Sequence, residues 1–420
     1  MTHWPPPRRA RLCGSGPPAA GSTIADQREA RRAYAPWFSA AAVGPLLAAD
    51  WGLTGLQLPL MTVLVQFGFA AAALVSAMAG LPDVVPGRYL FGAGAIAAGI
   101  ANLGFALLAH DAATGLLFRA LTGAAIAFVY PVGMKVLAGW FRRERGLAIG
   151  ILIGAITVGS ATPHLFRAIG TFTGADWRPI VVAASVAAVL GGLLVLAFGR
   201  AGPLESPAPR FSLRLAGVAF RDPSVRLANI GYLGHMWELY AMWTWVPAFI
   251  VASLALAGVT NSAAASLAAF AVVGIGGVGC VAAGFLADRV GRTAITIAAM
   301  AASGGSAIVI GVLFGGAPAV MLAVAMFWGL TVVADSAQFS TAVTELAPPG
   351  TAGSALSLQV AAGFVLTGVT ILGVGALGPS DGTGWRIAFG SLALGPLVGV
   401  IAMWRLRGRP DAVKMAAGRR

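Results

Sequence analysis

Ten residues constrain this chain more than any others: Gly284-Phe-Leu-Ala-Asp288-Arg289-Val-Gly291-Arg292-Thr293. An apolar run over 263–283 precedes them and another over 294–314 follows, each long enough to cross a membrane. The turn between the runs is about six residues, so it joins antiparallel neighbours on one side of a bilayer. Gly291 supplies the flexible corner. Asp288 stands at the end of one helix and near the start of the next, where it accepts backbone N–H groups and offsets the helix dipole. Arg289 and Arg292 mark the positive, cytoplasmic side.

The same pattern recurs along the chain. Apolar segments run over 34–49, 56–80, 89–109, 114–141, 147–171 and 179–198, then over 225–256, 263–287, 294–314, 319–341, 354–377 and 385–404. A spanning helix takes about 20 residues, so the first segment is short. Either it is extended by Ala33 and Arg32, or the start of the chain is atypical. The polar stretch 199–224, with four Pro, is the only long interruption in the hydrophobic region. It divides the segments into six and six. The expectation is an all-α polytopic membrane protein of twelve transmembrane helices. Two six-helix bundles, 34–198 and 225–404, are joined by a cytoplasmic linker at 199–224. A disordered Pro- and Arg-rich tail covers 1–33, and a basic tail covers 405–420.

Composition supports this class. The chain is 58% hydrophobic and 10% charged, where a soluble chain is about 25% charged. The net charge of +13 would suggest nucleic acid in a soluble protein. Here the arginines crowd into loops on one side, with only Arg178 and Arg386 in the outer loops, so no nucleic-acid partner is expected. The asymmetry puts both termini in the cytoplasm of a cell whose cytoplasmic membrane holds the chain. Cys13 and Cys280 are too few and too far apart for a metal or disulfide framework. No P-loop, nucleophile elbow or His/Cys cluster is present, so the expectation is no enzyme, no cofactor and no metal.

Gly284-x-Leu286-Ala287-Asp288-Arg289-x-Gly291-Arg292 resembles the signature loop of the major facilitator superfamily, between its eighth and ninth helices. The first half carries a degenerate counterpart, Gly80-Leu81-Pro82-Asp83-Val-Val-Pro86-Gly87-Arg88, which keeps Asp83 and Arg88. Arg119-Ala-Leu-Thr-Gly123 is similar to the superfamily's R-x-x-x-G motif on helix four. Helix five reads Gly150-x-x-x-Gly154-Ala155-x-x-Val158-Gly159, close to the antiporter motif of drug exporters, with Ala155 where that motif has Pro. Small-residue helix packing explains the same glycines. The resemblance implies two pseudo-symmetric halves that rock about a midplane site. Asp288, Arg289, Gly291 and Arg292, with Asp83 and Arg88, would form gating loops. Helices one, four, seven and ten would line the cavity.

An ionisable group in a helix centre costs about 2.5–3.5 kcal/mol on the insertion scale, so each needs a cavity or a partner. The candidates are Arg119 and Lys135 on helix four, His164 on helix five, His235 and Glu238 on helix seven, and Asp335 on helix ten. Gly231, His235, Glu238, Met242 and Trp245 share one helical face, as do Trp328, Thr331, Asp335, Gln338 and Phe339. Arg119, Thr122, Gly123, Ile126 and Tyr130 share a third. Glu238, with His235 and Asp335, is the candidate proton-coupling group. Arg119, Tyr130, Trp237, Tyr240, Trp328 and Gln338 are the candidate substrate contacts. A structural Arg–carboxylate bridge is the plainer alternative. The expected function is secondary active transport of a small solute by alternating access, coupled to protons, by a monomer in the lipid bilayer. The alternatives are a non-transporting membrane sensor or scaffold on the same fold, a drug exporter, and a nitrate/nitrite-type anion transporter.

Overall fold

The computed structural model describes residues 28–140, 145–169, 176–200 and 211–419. Eleven helices among them are long and apolar enough to cross a membrane. In chain order after the first crossing they are α2 (Gln57–Ala79), α3 (Gly87–Leu108), α4 (Ala112–Val136), α5 (Leu147–Ala168), α6 (Arg178–Phe198), α7 (Pro223–Leu256), α8 (Ser262–Val290), α9 (Arg292–Val312), α10 (Pro318–Leu346), α11 (Ala352–Leu377) and α12 (Gly382–Arg407). The twelfth crossing is α1, residues 28–51, which is helical over 28–33, Ser39–Ala42 and Gly44–Trp51 and turns over 34–38. It does extend through Ala33 and Arg32. The tail over 1–27 and part of the linker, 201–210, lie outside the described residues.

Helix breaks mark the middle of the bundle. Pro36 sits in the turn of α1, and a proline cannot donate a helical hydrogen bond. α4 breaks between Ile126 and Tyr130, where Pro131 has no N–H to give the Ala127 carbonyl four residues before it, and its backbone tightens to Phe128 N–H on Ala125 and Val129 N–H on Ile126. α10, its counterpart in the second half, breaks between Val332 and Ser336 with the same three-residue bonding, Ala334 to Thr331 and Ser336 to Val333. In a bilayer, irregular backbone survives only where protein or a cavity satisfies it.

Two seams join the halves. Along α5 and α8 the backbones touch: a Cβ on Gly150 would lie 2.6 Å from the Cys280 carbonyl oxygen, and one on Gly154 would lie 2.8 Å from that of Gly277. The seam of α2 and α11 uses side chains instead, with the Thr367 hydroxyl on Gln66 Oε1 and the Phe69 and Phe364 rings 4.5 Å apart. Between the seams an aromatic knot closes the middle. Trp37 and Phe38 of α1 meet Tyr240 and Trp243 of α7, with ring separations of 5.8 Å for Trp37–Tyr240 and 5.7 Å for Phe38–Trp243.

The connecting segments are more structured than their polarity suggests. The linker holds an amphipathic helix, Leu213–Arg221, capped by Ser212 and tied to α11 through Ser212 N–H and Ser354 Oγ at 3.0 Å. Asp222 then caps α7. The basic tail beyond α12 folds back as Pro410–Gly418, with Ala412 and Met415 fully buried. Ala416 N–H donates to Glu345 Oε2 at 3.2 Å, and Arg419 donates to the Asp288 carbonyl. Ala416 and Ala417 adopt φ of 48° and 55°, a region that costs a residue with a side chain about 1–2 kcal/mol.

Two outcomes test this packing. Gly154→Leu will force α5 off α8 at an overpacking cost of about 1–3 kcal/mol, seen as a lower melting temperature in detergent. Gly305→Leu, with nothing within 4 Å, will leave it unchanged. Asp411 is held below the usual carboxylate range by hydrogen bonds from Lys414 and Ser224. Its contribution to tail docking is therefore complete above the ordinary carboxyl pKa and is lost as pH falls through the lowered folded value. Amide exchange across 410–418 will accelerate only below the ordinary carboxyl range, and Asp411→Asn will remove that acid step.

Candidate functional site

The second half holds two buried carboxylates at mid-depth. Glu238, near the middle of α7, is 2% exposed. Trp328 of α10 donates its Nε1–H to Glu238 Oε1 at 2.6 Å, and Ser303 of α9 donates its hydroxyl to Oε2 at 2.8 Å. Both partners are neutral, so nothing here cancels a full charge. One turn earlier on α7, His235 places Nδ1 2.9 Å from Asp335 Oδ1, at the break of α10. The contact has ion-pair distance without hydrogen-bond alignment, and His235 Nε2 has no partner among the described residues. Phe339 covers the imidazole at 5.6 Å.

Among the described residues the first half holds one fully buried cation, and it bonds no carboxylate. Arg119 is fully buried. Its Nε donates to the Met61 carbonyl at 3.1 Å, Nη1 to the Pro36 carbonyl at 2.9 Å, to Ser39 Oγ at 3.1 Å and to Asn102 Oδ1 at 2.9 Å, and Nη2 to the Trp37 carbonyl. Asn102 in turn donates to Val181 and Ser185 of α6. The carbonyls of Pro36 and Trp37 are available because α1 is unwound there. Arg119 thus ties α4 to α1, α2 and α3, and the Arg–carboxylate bridge, the plainer alternative, does not form: backbone and neutral side-chain oxygens occupy the guanidinium.

At the end of the bundle that carries the α8–α9 loop, Gly291 takes φ 114° and ψ 147°, a conformation open to glycine, and lets α9 start at once. Arg292 lies 3.4 Å from Asp288, but its stronger partner is Glu345 of α10, through two bonds of 2.7 Å. It also donates to Gln338 Oε1 at 2.9 Å. Arg289 stacks on Phe285 with its guanidinium 3.5 Å from the ring centre. In the first-half loop, Arg88 bonds the Tyr89 hydroxyl at 2.6 Å; the Asp83 side chain lies outside the described residues. Among the described residues no group of three or more His, Cys, Asp or Glu is placed to hold a metal ion.

The model of the family described as Major Facilitator Superfamily matches residues 33–371. The chain belongs to the major facilitator superfamily. It is a multi-pass membrane protein of that superfamily. It is 27% identical over 174 residues to "MFS-type transporter pytF" of Aspergillus terreus (strain NIH 2624 / FGSC A1156), a match that covers 41% of this chain and 56% of that relative. The chain therefore aligns with little more than half of that relative's length. Three solved structures share the superfamily fold. The proton:xylose symporter XylE bound to 6-bromo-6-deoxy-D-glucose has a TM-score of 0.70 at 14% identity, over 92% of this chain and 96% of that one. A mutant of the nucleoside transporter NupG scores 0.68 at 15%, over 91% and 99%. A bacterial homologue of the human lysosomal transporter Spinster, inward-facing and occupied, scores 0.66 at 13%, over 94% and 97%.

Within this superfamily fold the residues singled out from sequence fall into separate groups. His235 and Asp335 meet, and Glu238 meets Trp328. Tyr240 enters the aromatic knot between the halves. Tyr130 is half-buried at the break of α4, and Lys135 is half-buried one turn further on. Trp237 turns to α12, where its Nε1–H bonds the Ser391 carbonyl at 3.0 Å. Gln338 serves Arg292. Sequence reasoning missed Ser303, Asn102, Ser39 and Glu345. A Ser in Ala301-Ala302-Ser303-Gly304 looks like packing. Glu345 did carry a signal, as a carboxylate at the end of an apolar helix.

Arg119→Leu will orphan several buried oxygens at about 1–3 kcal/mol each. Thermal unfolding in detergent will show a loss of about 3 kcal/mol or more, whereas Arg386→Gln, at an exposed position, will change little.

Proposed function

We propose that this chain is a secondary transporter of a small solute, coupled to protons, and that Glu238 carries the proton, with the His235–Asp335 pair beside it. The observation that supports this most is the Glu238 carboxyl itself, buried at mid-depth with two neutral donors and no charge to offset its own. A carboxylate taken out of water without a counter-charge is costly, and protonation removes most of that cost. The group is therefore neutral when sealed and ionised when water reaches it. Alternating access turns that difference into uptake of a proton on one side and release on the other. One structural neighbour is a proton:xylose symporter, so the fold accommodates such coupling.

On this reading the solute crosses between the halves, past the aromatic knot that includes Tyr240. Arg119 acts through the shape of α1, which it holds unwound. Asp288, Arg289, Gly291 and Arg292 latch the end of the bundle where Arg292 grips Glu345, and that end faces the cytoplasm of a cell membrane. The basic loops gathered there, against Arg178 and Arg386 at the other end, support the orientation.

Reconstituted protein with an entrapped pH dye will move protons when a transported solute is added from a panel of sugars, nucleosides, organic acids and amines. Glu238→Gln will lose that proton movement and retain solute exchange. Proton-driven flux that survives in Glu238→Gln sinks the assignment, and loss confined to Asp335→Asn moves the proton to the neighbouring pair.

A further inference from the structure

A cavity of about 130 Å³ lies between the halves, toward the end of the bundle opposite the α8–α9 loop. Residues of α1, α2, α5, α7 and α8 wall it. At roughly 10–15 Å³ of such space per water, it has room for one small organic molecule. Its walls are mostly alanine, proline and leucine, with Trp245 on one side. Five polar side chains interrupt them; Thr244 and Ser266 spend their hydroxyls on the Tyr240 and Ser262 carbonyls of their own helices, which leaves His164, Thr62 and Arg167. His164 is 3% exposed and its imidazole makes no hydrogen bond among the described residues; Thr62 is 1% exposed and its hydroxyl makes none either. Arg167, in the last turn of α5, spends one Nη1 bond on the Ala42 carbonyl at 2.8 Å and lines the same space. No Asp or Glu is among the described lining residues.

A buried imidazole without a partner is uncommon, because burial costs it the bonds that water made. Beside a guanidinium in an acid-free cavity, the missing partner is an acceptor with negative charge. A carboxylate fits the fork of an arginine and leaves an oxygen for a histidine or a hydroxyl. The apolar remainder of the wall has no use for an inorganic anion, which would keep its water. It suits a short chain or a single ring.

We infer that this cavity binds a small organic monocarboxylate. Arg167 holds the carboxylate, His164 and Thr62 complete its hydrogen bonds, and Trp245 and Leu58 cover the apolar body. This names a solute class for the transporter and rests on the transport reading, though not on where the proton binds.

Benzoate serves as the probe. Isothermal titration of the purified full chain will show saturable benzoate binding, about tenfold or more tighter than benzamide or benzylamine. Ala248→Phe crowds the cavity from its exposed rim on α7, and Arg167→Gln removes the cation; each will weaken benzoate binding about tenfold or more. Absence of benzoate binding by the unaltered chain overturns the proposal. So does equal affinity for the three probes, or unchanged affinity in Ala248→Phe. The titration uses no proton gradient and reads solute binding alone. A failed coupling experiment therefore leaves this result standing, and a failed titration leaves the coupling experiment standing.

Discussion

Arg119 holding the opened turn of α1 is the interaction on which the first half depends. A bilayer offers no water to an unwound backbone, so the carbonyls of Pro36 and Trp37 need a donor from the protein. Arg119 needs acceptors for the same reason. Each solves the other's problem, and Ser39, Met61 and Asn102 complete the set. The second half builds on the equivalent helices with the opposite charge. There α7, α9 and α10 meet at Glu238 through Ser303 and Trp328, as α1, α3 and α4 meet at Arg119. The first network is saturated with acceptors and is suited to hold shape. The second is supplied with neutral donors alone and is suited to change charge.

The membrane end of the α8–α9 loop follows a related logic. Arg292 has three acceptor residues, and the two bonds to Glu345 bind α9 to α10 rather than to α8. Ala416 N–H joins the same carboxylate from the folded-back tail. The loop is therefore one part of a cluster assembled from four stretches of chain. Asp288 is its least committed member, with Oδ2 lacking a hydrogen bond.

Much of the architecture was legible because hydrophobic length and loop charge are properties of single stretches. The twelve segments, the six-plus-six division and the loop at Asp288–Arg292 could be read that way. The short first segment was legible as an anomaly, and the structure gives its cause in the unwound turn at 34–38. What could not be read was pairing. Helical periodicity put Trp328 and Asp335 on one face, yet each serves a different residue of α7. Crowding of aromatics on helix seven grouped Trp237 with Tyr240, although three residues turn them toward different neighbours, α12 and the knot. The sequence offers Arg119 as a substrate contact, with a carboxylate bridge as the plainer alternative, because carbonyls freed by a helix break leave no mark in the side-chain sequence. Glu345 and the tail meet Arg292 across long intervals of chain, which spacing rules do not span.

The glycine seam between α5 and α8 has a mechanical meaning. Where Gly150 and Gly154 lie on the backbone of Cys280 and Gly277, the contact is mostly backbone, with the methyls of Thr157 and Val158 resting on Gly276 and Gly277. Two smooth cylinders in contact can roll on each other while keeping their separation, and few rotamers have to change. The opposite seam, with Phe69 on Phe364 and Gln66 on Thr367, is toothed. A rotation of one half against the other would use the first seam as a bearing and the second as a ratchet, so the activation barrier for switching would reside mainly on the α2–α11 side.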